Sequence, residues 1–276
     1  MPKNSSDDIV IEMMALADPA HRAKLRLPNV VSVGSARCGT SFLWGMLNSH
    51  DAFYVSPLKE VNFFGIKQAP FMRNGWTLDD YKMCFASQKD QPFIADVTPI
   101  YIANPVALQQ IAMHLKSAKI IFTLRNPIDR FISHFRYHQE FHRVQSLSDY
   151  VSIAIDSFTP GFMDRRWMAP EKAIQLSLYS AGVRTITDII PRADVLFLCY
   201  EDLVASEDSW KANLTEFFKL DFSSIKVDAA LKNSSHNQGE ILSANEKVRL
   251  REIFAPDVAR LSNMTGRDFL TLWELG

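Results

Sequence analysis

Short apolar runs alternate along the chain with longer stretches of helical periodicity. The apolar runs are rich in β-branched and aromatic residues, and runs of this length and composition are typical of buried strands. The sequence predicts strands at residues 30–33, 53–55, 93–95, 119–124 and 194–200. Helical periodicity resumes at residue 42, and it predicts further helices over residues 104–116, 127–142, 146–157, 170–190, 207–219 and 243–265.

The order of these elements predicts the fold class. Strands that alternate with helices form βα units, which build a mainly parallel sheet with helices on both faces. The chain contains no internal repeat, no low-complexity segment and no convincing linker. We therefore predict an α/β fold with a single domain over residues 29–276, preceded by an N-terminal arm over residues 1–28 that contains a short helix.

Composition and charge exclude several classes of protein. Of the 276 residues, 47% are hydrophobic and 11% aromatic, so the chain can bury a core and is not disordered. The 30 Lys and Arg residues balance 31 Asp and Glu residues, which argues against binding nucleic acid through bulk charge. No apolar run approaches the ~18 residues of a transmembrane helix, and no signal-peptide core is present. We expect a cytoplasmic location, the alternative being a luminal fragment cut from its anchor.

The positions of the cysteine and histidine residues do not predict a metal site. The three cysteines lie at long spacings that match neither a disulfide framework nor a zinc pattern, and Cys84 and Cys199 are expected to be buried thiols. His134, His138 and His142 recur every four residues on a predicted helix, a spacing that permits a metal pair. Without a third ligand, the favoured interpretation is ordinary surface or cofactor-adjacent histidines.

The segment after the first predicted strand, Gly34 to Ser41, has the features of an anion-binding loop. A glycine-bounded turn between a strand and a helix points N–H groups inward, and the helix dipole adds positive charge. Gly34 and Gly39 have the spacing of the GxxxxGK[ST] pattern, but Thr40 replaces its lysine and Arg37 supplies the cation. Thr40 and Ser41 are expected to cap the helix and to donate hydroxyls to the anion. The alternative is an ordinary βα turn with a capping threonine and a solvated arginine.

A second candidate segment, Lys59–Phe64, follows the predicted strand at residues 53–55. It contains a carboxylate, Glu60, beside aromatic residues and close in sequence to the loop. Apolar surroundings raise the pKa of a carboxyl group toward the values that suit a general base. The alternative is a surface pair of Lys59 and Glu60 that flanks two core phenylalanines.

The third candidate segment begins at Arg125, directly after the predicted strand at residues 119–124. Carboxyl ends of parallel strands are where α/β proteins bind ligands, and Pro127 is placed to start the next helix. Ser133 follows on that helix, so Arg125 and Ser133 could bind one phosphate together. The alternative is a surface Arg–Asp pair that includes Arg130.

The three segments in this order resemble the sulfotransferases that use 3′-phosphoadenosine 5′-phosphosulfate (PAPS). The matching patterns are GxxRxGTS at residues 34–41, KExxFF at residues 59–64 and RNPxxRxxS at residues 125–133. The chain is most similar to the heparan sulfate glucosaminyl sulfotransferase branch and its bacterial relatives. This resemblance implies a P-loop-like nucleotide-binding fold and an enzyme that moves a sulfuryl group from PAPS to an acceptor hydroxyl.

The resemblance also implies a role for each matching residue. The residues that would hold the 5′-phosphosulfate are Arg37, Cys38, Gly39, Thr40, Ser41 and Phe42. Arg37 would stabilise charge on the bridging oxygen as the sulfuryl group leaves, and Glu60 would take the acceptor proton. Arg125 and Ser133 would bind the 3′-phosphate. In a late loop, Lys232 and Asn233 are candidates to reach the cofactor, although a plain surface loop is an equal alternative there.

Two departures from the glucosaminyl 3-O branch concern the acceptor. Asn62 stands where that branch has histidine, and Val97 stands where it has lysine, which argues against heparan sulfate as the substrate. We expect a carbohydrate or a small hydroxylated metabolite to bind between residues 61–85 and 136–168, with no metal ion required. The alternatives are a P-loop kinase or nucleotide hydrolase, for which Asp96 is the candidate magnesium ligand, and a catalytically silent nucleotide-binding module.

Overall fold

The computed structural model describes residues 23–65, 76–142, 144–159, 169–228, 231 and 241–276. Five strands form one sheet in the order β2-β3-β1-β4-β5. Their bounds are β1 (Val30–Gly34), β2 (Phe53–Val55), β3 (Phe93–Val97), β4 (Lys119–Leu124) and β5 (Val195–Cys199). All four neighbouring pairs are parallel, so the carboxyl ends of all five strands lie on the same side of the molecule.

The helices connect the strands and pack against the sheet. Their bounds are α1 (Thr40–Asn48), α2 (Leu78–Met83), α3 (Pro105–His114), α4 (Pro127–His142), α5 (Leu147–Asp156), α6 (Pro170–Ala173), α7 (Ser180–Thr187), α8 (Tyr200–Ala205), α9 (Glu207–Phe218), α10 (Ala244–Thr265) and α11 (Phe269–Leu272). Short 3₁₀ turns precede α3, α7 and β5. The predicted α/β class and the parallel sheet are confirmed.

Alternate residues of the strands point to opposite faces and bury two separate clusters. Val30 and Ile121 pack on one face with side chains of α1 and α9. Val31 and Ile120 pack on the other face with side chains of α3, α7 and α10. Helices therefore cover both faces of the sheet, and strands buried on both sides read as continuous apolar runs.

The chain order places β1 at the point where the direction of winding changes. After β1 the chain adds β2 and β3 on one side, and then β4 and β5 on the other side. In open α/β sheets, the crevice outside the carboxyl ends at such a point is the usual ligand site. The topology thus directs attention to the segment after β1 and to the ends of its neighbours β3 and β4.

The predicted helix over residues 170–190 is wrong as one element. The chain forms the short α6 and a 3₁₀ turn, becomes extended at Leu178 (φ −96°, ψ 116°), and then enters α7. The break is fixed by Asp257 of α10, whose carboxylate accepts the N–H groups of Tyr179 and Ser180 and the hydroxyl of Ser180. The predicted strand over residues 194–200 is also too long, because Tyr200 begins α8.

Replacing Asp257 with alanine is expected to lower the free energy of unfolding by about 3 kcal/mol, because two buried N–H groups lose their acceptor. Urea unfolding measures the loss. The matched control is Asp268→Ala, which removes an exposed N-cap of α11 that accepts from Thr271. We expect that control to cost about 1 kcal/mol. Equal losses in the two variants would contradict the assignment of Asp257 as the anchor of α7.

Other expectations concern the thiols, the N-terminal arm and the membrane. Cys38, Cys84 and Cys199 are all buried, as predicted for the last two. In the arm, Arg26 donates to the side chain of Gln88 and to backbone carbonyls beyond it, so residues 23–28 lie against the domain. Within the described ranges, no helix has the length and apolar character to cross a membrane.

Candidate active site

The loop between β1 and α1 begins at a glycine that the packing requires. Gly34 has φ +124°, and a Cβ atom there would lie 2.0 Å from the carbonyl oxygen of Pro99. The next residue, Ser35, donates its N–H to Thr123 of β4 and its hydroxyl to the carbonyl of Leu176. These contacts hold the start of the loop between the ends of β3 and β4.

The amino end of α1 is open. Its N-cap is Gly39 in the left-handed conformation (φ +84°), and no side chain caps the helix. The expectation that Thr40 or Ser41 caps α1 is therefore wrong, since both residues already lie inside the helix. The first N–H groups of α1 have no capping side chain to satisfy them, and uncapped amides at a helix N-terminus favour an anion.

An open cleft lies in front of this loop. The residues that line it are Arg37, Gly39, Thr40, Ser41, Arg125, Tyr200 and Leu231. Five of these seven were predicted to bind the cofactor, and they come from two segments about 90 positions apart. The sheet topology has brought the first and third candidate segments to one opening.

Arg37 is half-buried in the loop rather than solvated. Its Nε donates to the hydroxyl of Ser133 at 3.2 Å, and its guanidinium lies 4.1 Å from the centre of the Tyr137 ring. Burial lowers the pKa of Arg37 from its usual value, the Tyr137 hydroxyl acts in the opposite direction, and the neighbouring Arg125 lowers it further. Positive charge is therefore concentrated in the cleft, which favours the binding of a multiply charged anion.

Arg125 links the end of β4 to the loop. Its Nη1 donates to the carbonyl of Arg37 at 3.2 Å, and its guanidinium lies 4.5 Å from the centre of the Tyr200 ring. Its buried Nε has no hydrogen-bond partner among the described residues. Because a buried guanidinium donor without an acceptor is unfavourable, this side chain is suited to receive a ligand oxygen.

The turn that carries Arg125 is held by two distant residues. The carboxylate of Glu201 accepts the N–H of Asn126 at 2.9 Å and the indole N–H of Trp273 at 3.0 Å. The side chain of Asn126 in turn donates to the carbonyl of Trp273 at 3.1 Å. This closed set of hydrogen bonds fixes the backbone beside Arg125 before any ligand arrives.

Arg130 does not form the surface pair that was the alternative for this segment. Its side chain is entirely buried, with Nε donating to the hydroxyl of Ser177 at 2.8 Å and Nη2 to the carbonyl of Ala173. Burial lowers the pKa of Arg130, and Arg125 lowers it further. A buried cation close to Arg37 and Arg125 adds to the positive potential behind the cleft.

The Lys59–Glu60 segment approaches the loop from the other side. The Nζ of Lys59 donates to the hydroxyl of Ser41 at 3.2 Å. Glu60 is half-buried, and burial raises the pKa of its carboxyl group. Lys59 opposes that rise and Asp96 adds to it. A raised pKa is a property that suits a carboxylate to accept a proton, and the contact of Lys59 with Ser41 brings this segment next to the loop.

Cys38 and Phe42 present no side chain to the cleft. The Cys38 thiol is completely buried, 4.0 Å from the Tyr179 hydroxyl, and burial raises its pKa to about 11. Phe42 is also completely buried, and its ring packs edge-on against Trp210. Either residue could contribute to a ligand site only through its backbone.

Other candidates lie elsewhere or outside the described residues. Lys232 and Asn233 fall outside, as do parts of both predicted acceptor segments, residues 66–75 and 160–168. His134 is buried in α4, with its Nδ1 at 2.6 Å from the hydroxyl of Tyr150. Among the residues whose positions are described, no group of three or more His, Cys, Asp or Glu side chains could hold a metal ion.

Sequence reasoning missed several residues around the cleft. They are Tyr137, Tyr200, Glu201 and Trp273, whereas Leu231 begins the late loop that the sequence had already offered as a candidate. The signal for Tyr200 was present, because it directly follows a strand at the ligand-binding edge. The others act through contacts between segments far apart in sequence, for which the chain carries no local pattern.

Comparison with known proteins agrees with these features. The sulfotransferase domain family matches residues 27–262. The chain is 23% identical over 270 residues to human heparan sulfate glucosamine 3-O-sulfotransferase 3B1, covering 88% of this chain and 65% of that protein. It is 31% identical over 121 residues to the membrane-associated sulfotransferase kil1 of Dictyostelium discoideum, covering 43% and 25%. The chain thus spans about a quarter of the Dictyostelium protein and just under two thirds of the human one.

Solved structures share the fold. A crystal structure of a sulfotransferase from Alicyclobacillus acidocaldarius aligns with a TM-score of 0.74 and 24% identity, over 90% of this chain and 99% of that one. Mouse sulfotransferase SULT7A1, solved in complex with PAP, aligns with a TM-score of 0.53 and 15% identity, over 88% and 91%. The predicted P-loop-like sulfotransferase fold is confirmed by these likenesses.

Proposed function

The chain belongs to the sulfotransferase domain family, and from this premise we propose that it transfers the sulfuryl group of PAPS to an acceptor hydroxyl. The observation that carries the proposal is that Arg37 and Arg125 line one cleft, with Ser133 in contact with Arg37 behind it. Arg37 contacts both other residues, through its side chain to Ser133 and through its carbonyl to Arg125. They adjoin the open amino end of α1, so one cleft offers cations, a hydroxyl and amides to a nucleotide with two phosphate groups.

The donor site has two parts in this proposal. The amides of residues 37–41, with the hydroxyls of Thr40 and Ser41, receive the 5′-phosphosulfate. Arg125 and Ser133 receive the 3′-phosphate, and the unpartnered Nε of Arg125 supports this assignment. Cys38 and Phe42 contribute only backbone atoms, and Lys232 and Asn233 remain candidates from the late loop.

The proposed reaction is an in-line displacement. Glu60 accepts the proton of the acceptor hydroxyl as its oxygen attacks sulfur, and the bond from sulfur to the bridging oxygen breaks. Negative charge then develops on the leaving phosphate oxygen, where Arg37 and the amides of the loop stabilise it. As in phosphoryl transfer, catalysis comes mainly from alignment and electrostatic stabilisation. In this proposal Arg37 supplies the positive charge, so no divalent metal ion is required.

The acceptor class is proposed from the family and from the aromatic residues of the segment 61–85. We propose a carbohydrate or a small hydroxylated molecule, because aromatic faces such as Phe63 and Trp76 suit both. The named activities of the human relatives are on heparan sulfate, but Asn62 and Val97 depart from that branch. The domain boundary at residue 29, a cytoplasmic location and the absence of a nucleic-acid partner stay predictions from the sequence.

The alternative of a magnesium-dependent kinase or nucleotide hydrolase receives no support from Asp96. Its carboxylate is entirely buried and accepts hydrogen bonds from the hydroxyls of Tyr81, Thr98 and Tyr101. A carboxylate engaged in this way offers no free oxygen to a hydrated magnesium ion. Thr40 also stands where such enzymes carry the lysine that neutralises nucleotide phosphates.

Thermal denaturation with two nucleotides tests the donor. Adenosine 3′,5′-bisphosphate at a hundredfold excess over its Kd is expected to raise the Tm by about 5 °C, because it binds only the folded state. ATP with magnesium is expected to raise it by less than about 1 °C. Transfer of radiolabelled sulfate to a panel of glycans, phenols, lipids and alcohols then identifies the acceptor. A larger shift with magnesium ATP would overturn the sulfotransferase assignment of this site.

A further inference from the structure

Asp96, near the carboxyl end of β3, is a completely buried carboxylate surrounded by hydroxyl groups. Its Oδ1 accepts the hydroxyl of Thr98 at 2.6 Å, and its Oδ2 accepts those of Tyr81 at 2.8 Å and Tyr101 at 3.3 Å. The three partners are completely buried as well. Burying a carboxylate together with three hydroxyl donors costs free energy of desolvation. The further contacts that these hydroxyl groups make therefore call for an explanation.

Two of these hydroxyls connect Asp96 to the segment that carries Glu60. The Tyr101 oxygen accepts the N–H groups of Phe63 at 2.9 Å and Phe64 at 3.3 Å. The Thr98 oxygen accepts the N–H of Asn62 at 3.4 Å. Three consecutive amides that follow Glu60 therefore end on hydroxyls whose protons point to one carboxylate.

The negative charge of Asp96 determines which groups donate and which accept in these hydrogen bonds. An ionised carboxylate only accepts hydrogen bonds, and a hydroxyl has one proton to donate. Once Tyr101 and Thr98 donate inward to Asp96, only their lone pairs remain to face the segment, and lone pairs are what backbone amides need. Burial raises the pKa of Asp96 to about 6, so the carboxylate remains ionised above neutral pH.

The turn that carries Thr98 and Pro99 also supports the loop between β1 and α1. The N–H of Thr98 donates to the carbonyl of Ser32 in β1, and Pro99 lies against Gly34 at the start of the loop. Residues 96–101 thus contact both the segment of the proposed base and the segment of the proposed donor site. This arrangement fixes the distance between the two, on which an in-line displacement depends.

We propose that Tyr101, oriented by Asp96, is a positioning residue that holds the backbone of residues 62–64 and thereby the carboxylate of Glu60. The inference rests on the proposed function, in which Glu60 is the general base. Neither Asp96 nor Tyr101 touches the reacting atoms in this assignment. Their effect on turnover passes through the placement of Glu60.

Two tyrosine-to-phenylalanine variants form a matched test. Tyr81→Phe and Tyr101→Phe each remove one buried hydroxyl that donates to Asp96, but only the Tyr101 hydroxyl also accepts amides of the segment. We expect Tyr101→Phe to lower kcat at least about tenfold, with the Kd for adenosine 3′,5′-bisphosphate unchanged. Tyr81→Phe is expected to change kcat less than about threefold. Equal losses of kcat would overturn the proposal.

A double-mutant cycle separates positioning from general damage. If Tyr101 acts through Glu60, Tyr101→Phe causes no further loss once Glu60 is glutamine, because the two changes remove one function. A loss of the same size in the Glu60→Gln background would overturn the proposal.

Amide hydrogen exchange tests the contact without any acceptor. We expect the amides of Phe63 and Phe64 to exchange at least about tenfold faster in Tyr101→Phe and in Asp96→Asn, but not in Tyr81→Phe. Unchanged exchange in Tyr101→Phe would overturn the positioning role, and unchanged exchange in Asp96→Asn would remove Asp96 from it. Wild-type turnover of Glu60→Gln would instead refute the base assignment of the proposed function, while faster exchange would still show that Tyr101 holds the segment.

Discussion

Replacing Glu60 with glutamine is expected to lower turnover about a thousandfold while leaving the affinity for adenosine 3′,5′-bisphosphate unchanged. Glutamine has the shape of glutamate but cannot accept the acceptor's proton. The nucleotide contacts proposed for Arg37, Arg125 and Ser133 do not involve this side chain. Initial rates of sulfate transfer and titration calorimetry measure the two quantities separately.

The matched control for this variant is Glu216→Gln, which makes the same change on the exposed side of α9. It is expected to turn over like the wild type. Turnover of Glu60→Gln at the wild-type rate would show that another group takes the proton.

The pH dependence of kcat/KM gives a second measure of the same residue. Burial raises the pKa of Glu60, with Asp96 adding to the rise and Lys59 opposing it. A base must be deprotonated to act, so activity is low below that raised pKa and increases as the pH rises through it. We expect the midpoint of this rise to lie above the usual range of a glutamate, and the limb to vanish in Glu60→Gln.

Arg125→Ala is expected to weaken the binding of adenosine 3′,5′-bisphosphate at least about 30-fold, as titration calorimetry would measure. A guanidinium can donate two parallel hydrogen bonds to a phosphate, and alanine offers none. Loss of the hydrogen bond to the carbonyl of Arg37 also loosens the loop. Arg125→Lys should recover part of the affinity, because it keeps the charge but not the paired donors.

Arg192 provides a close control for Arg125. It too stacks on an aromatic ring, 4.8 Å from the centre of Phe197, and donates to a backbone carbonyl, that of Val195. It precedes the amino end of β5, whereas Arg125 follows the carboxyl end of β4, so the two residues lie at opposite ends of the parallel strands. Arg192→Ala is expected to bind the nucleotide like the wild type. Unchanged affinity in Arg125→Ala would remove Arg125 from the site.

The strands and most long helices could be predicted because local patterns determine them. A strand buried on both faces gives a continuous apolar run, and β4 is the clearest example. The predicted helix over residues 170–190 failed because its break at Leu178 depends on Asp257, 78 positions beyond Tyr179. No local sequence pattern indicates that a residue of another helix will accept these hydrogen bonds.

The candidate site could likewise be predicted from the sequence only in part. The segments at 34–41, 59–64 and 125–133 were recognisable because their residue types and spacings are local. The support behind them was not recognisable, because Glu201 meets Asn126 and Trp273, and Asp96 meets Tyr81 and Tyr101, only in the folded chain. Sequence alone therefore suggests which groups meet a ligand, and tertiary contacts reveal what holds those groups still.

The contact between Gly34 and Pro99 limits how the proposed donor site of this protein can be engineered. Any other residue at position 34 would drive its Cβ into the Pro99 carbonyl, displacing the turn that carries Thr98 and Tyr101. A combinatorial library of loop variants should therefore keep Gly34 constant and diversify Ala36 and Ser41 instead. Variants that lose activity through Gly34 would report a collapsed scaffold and would be uninformative about nucleotide preference.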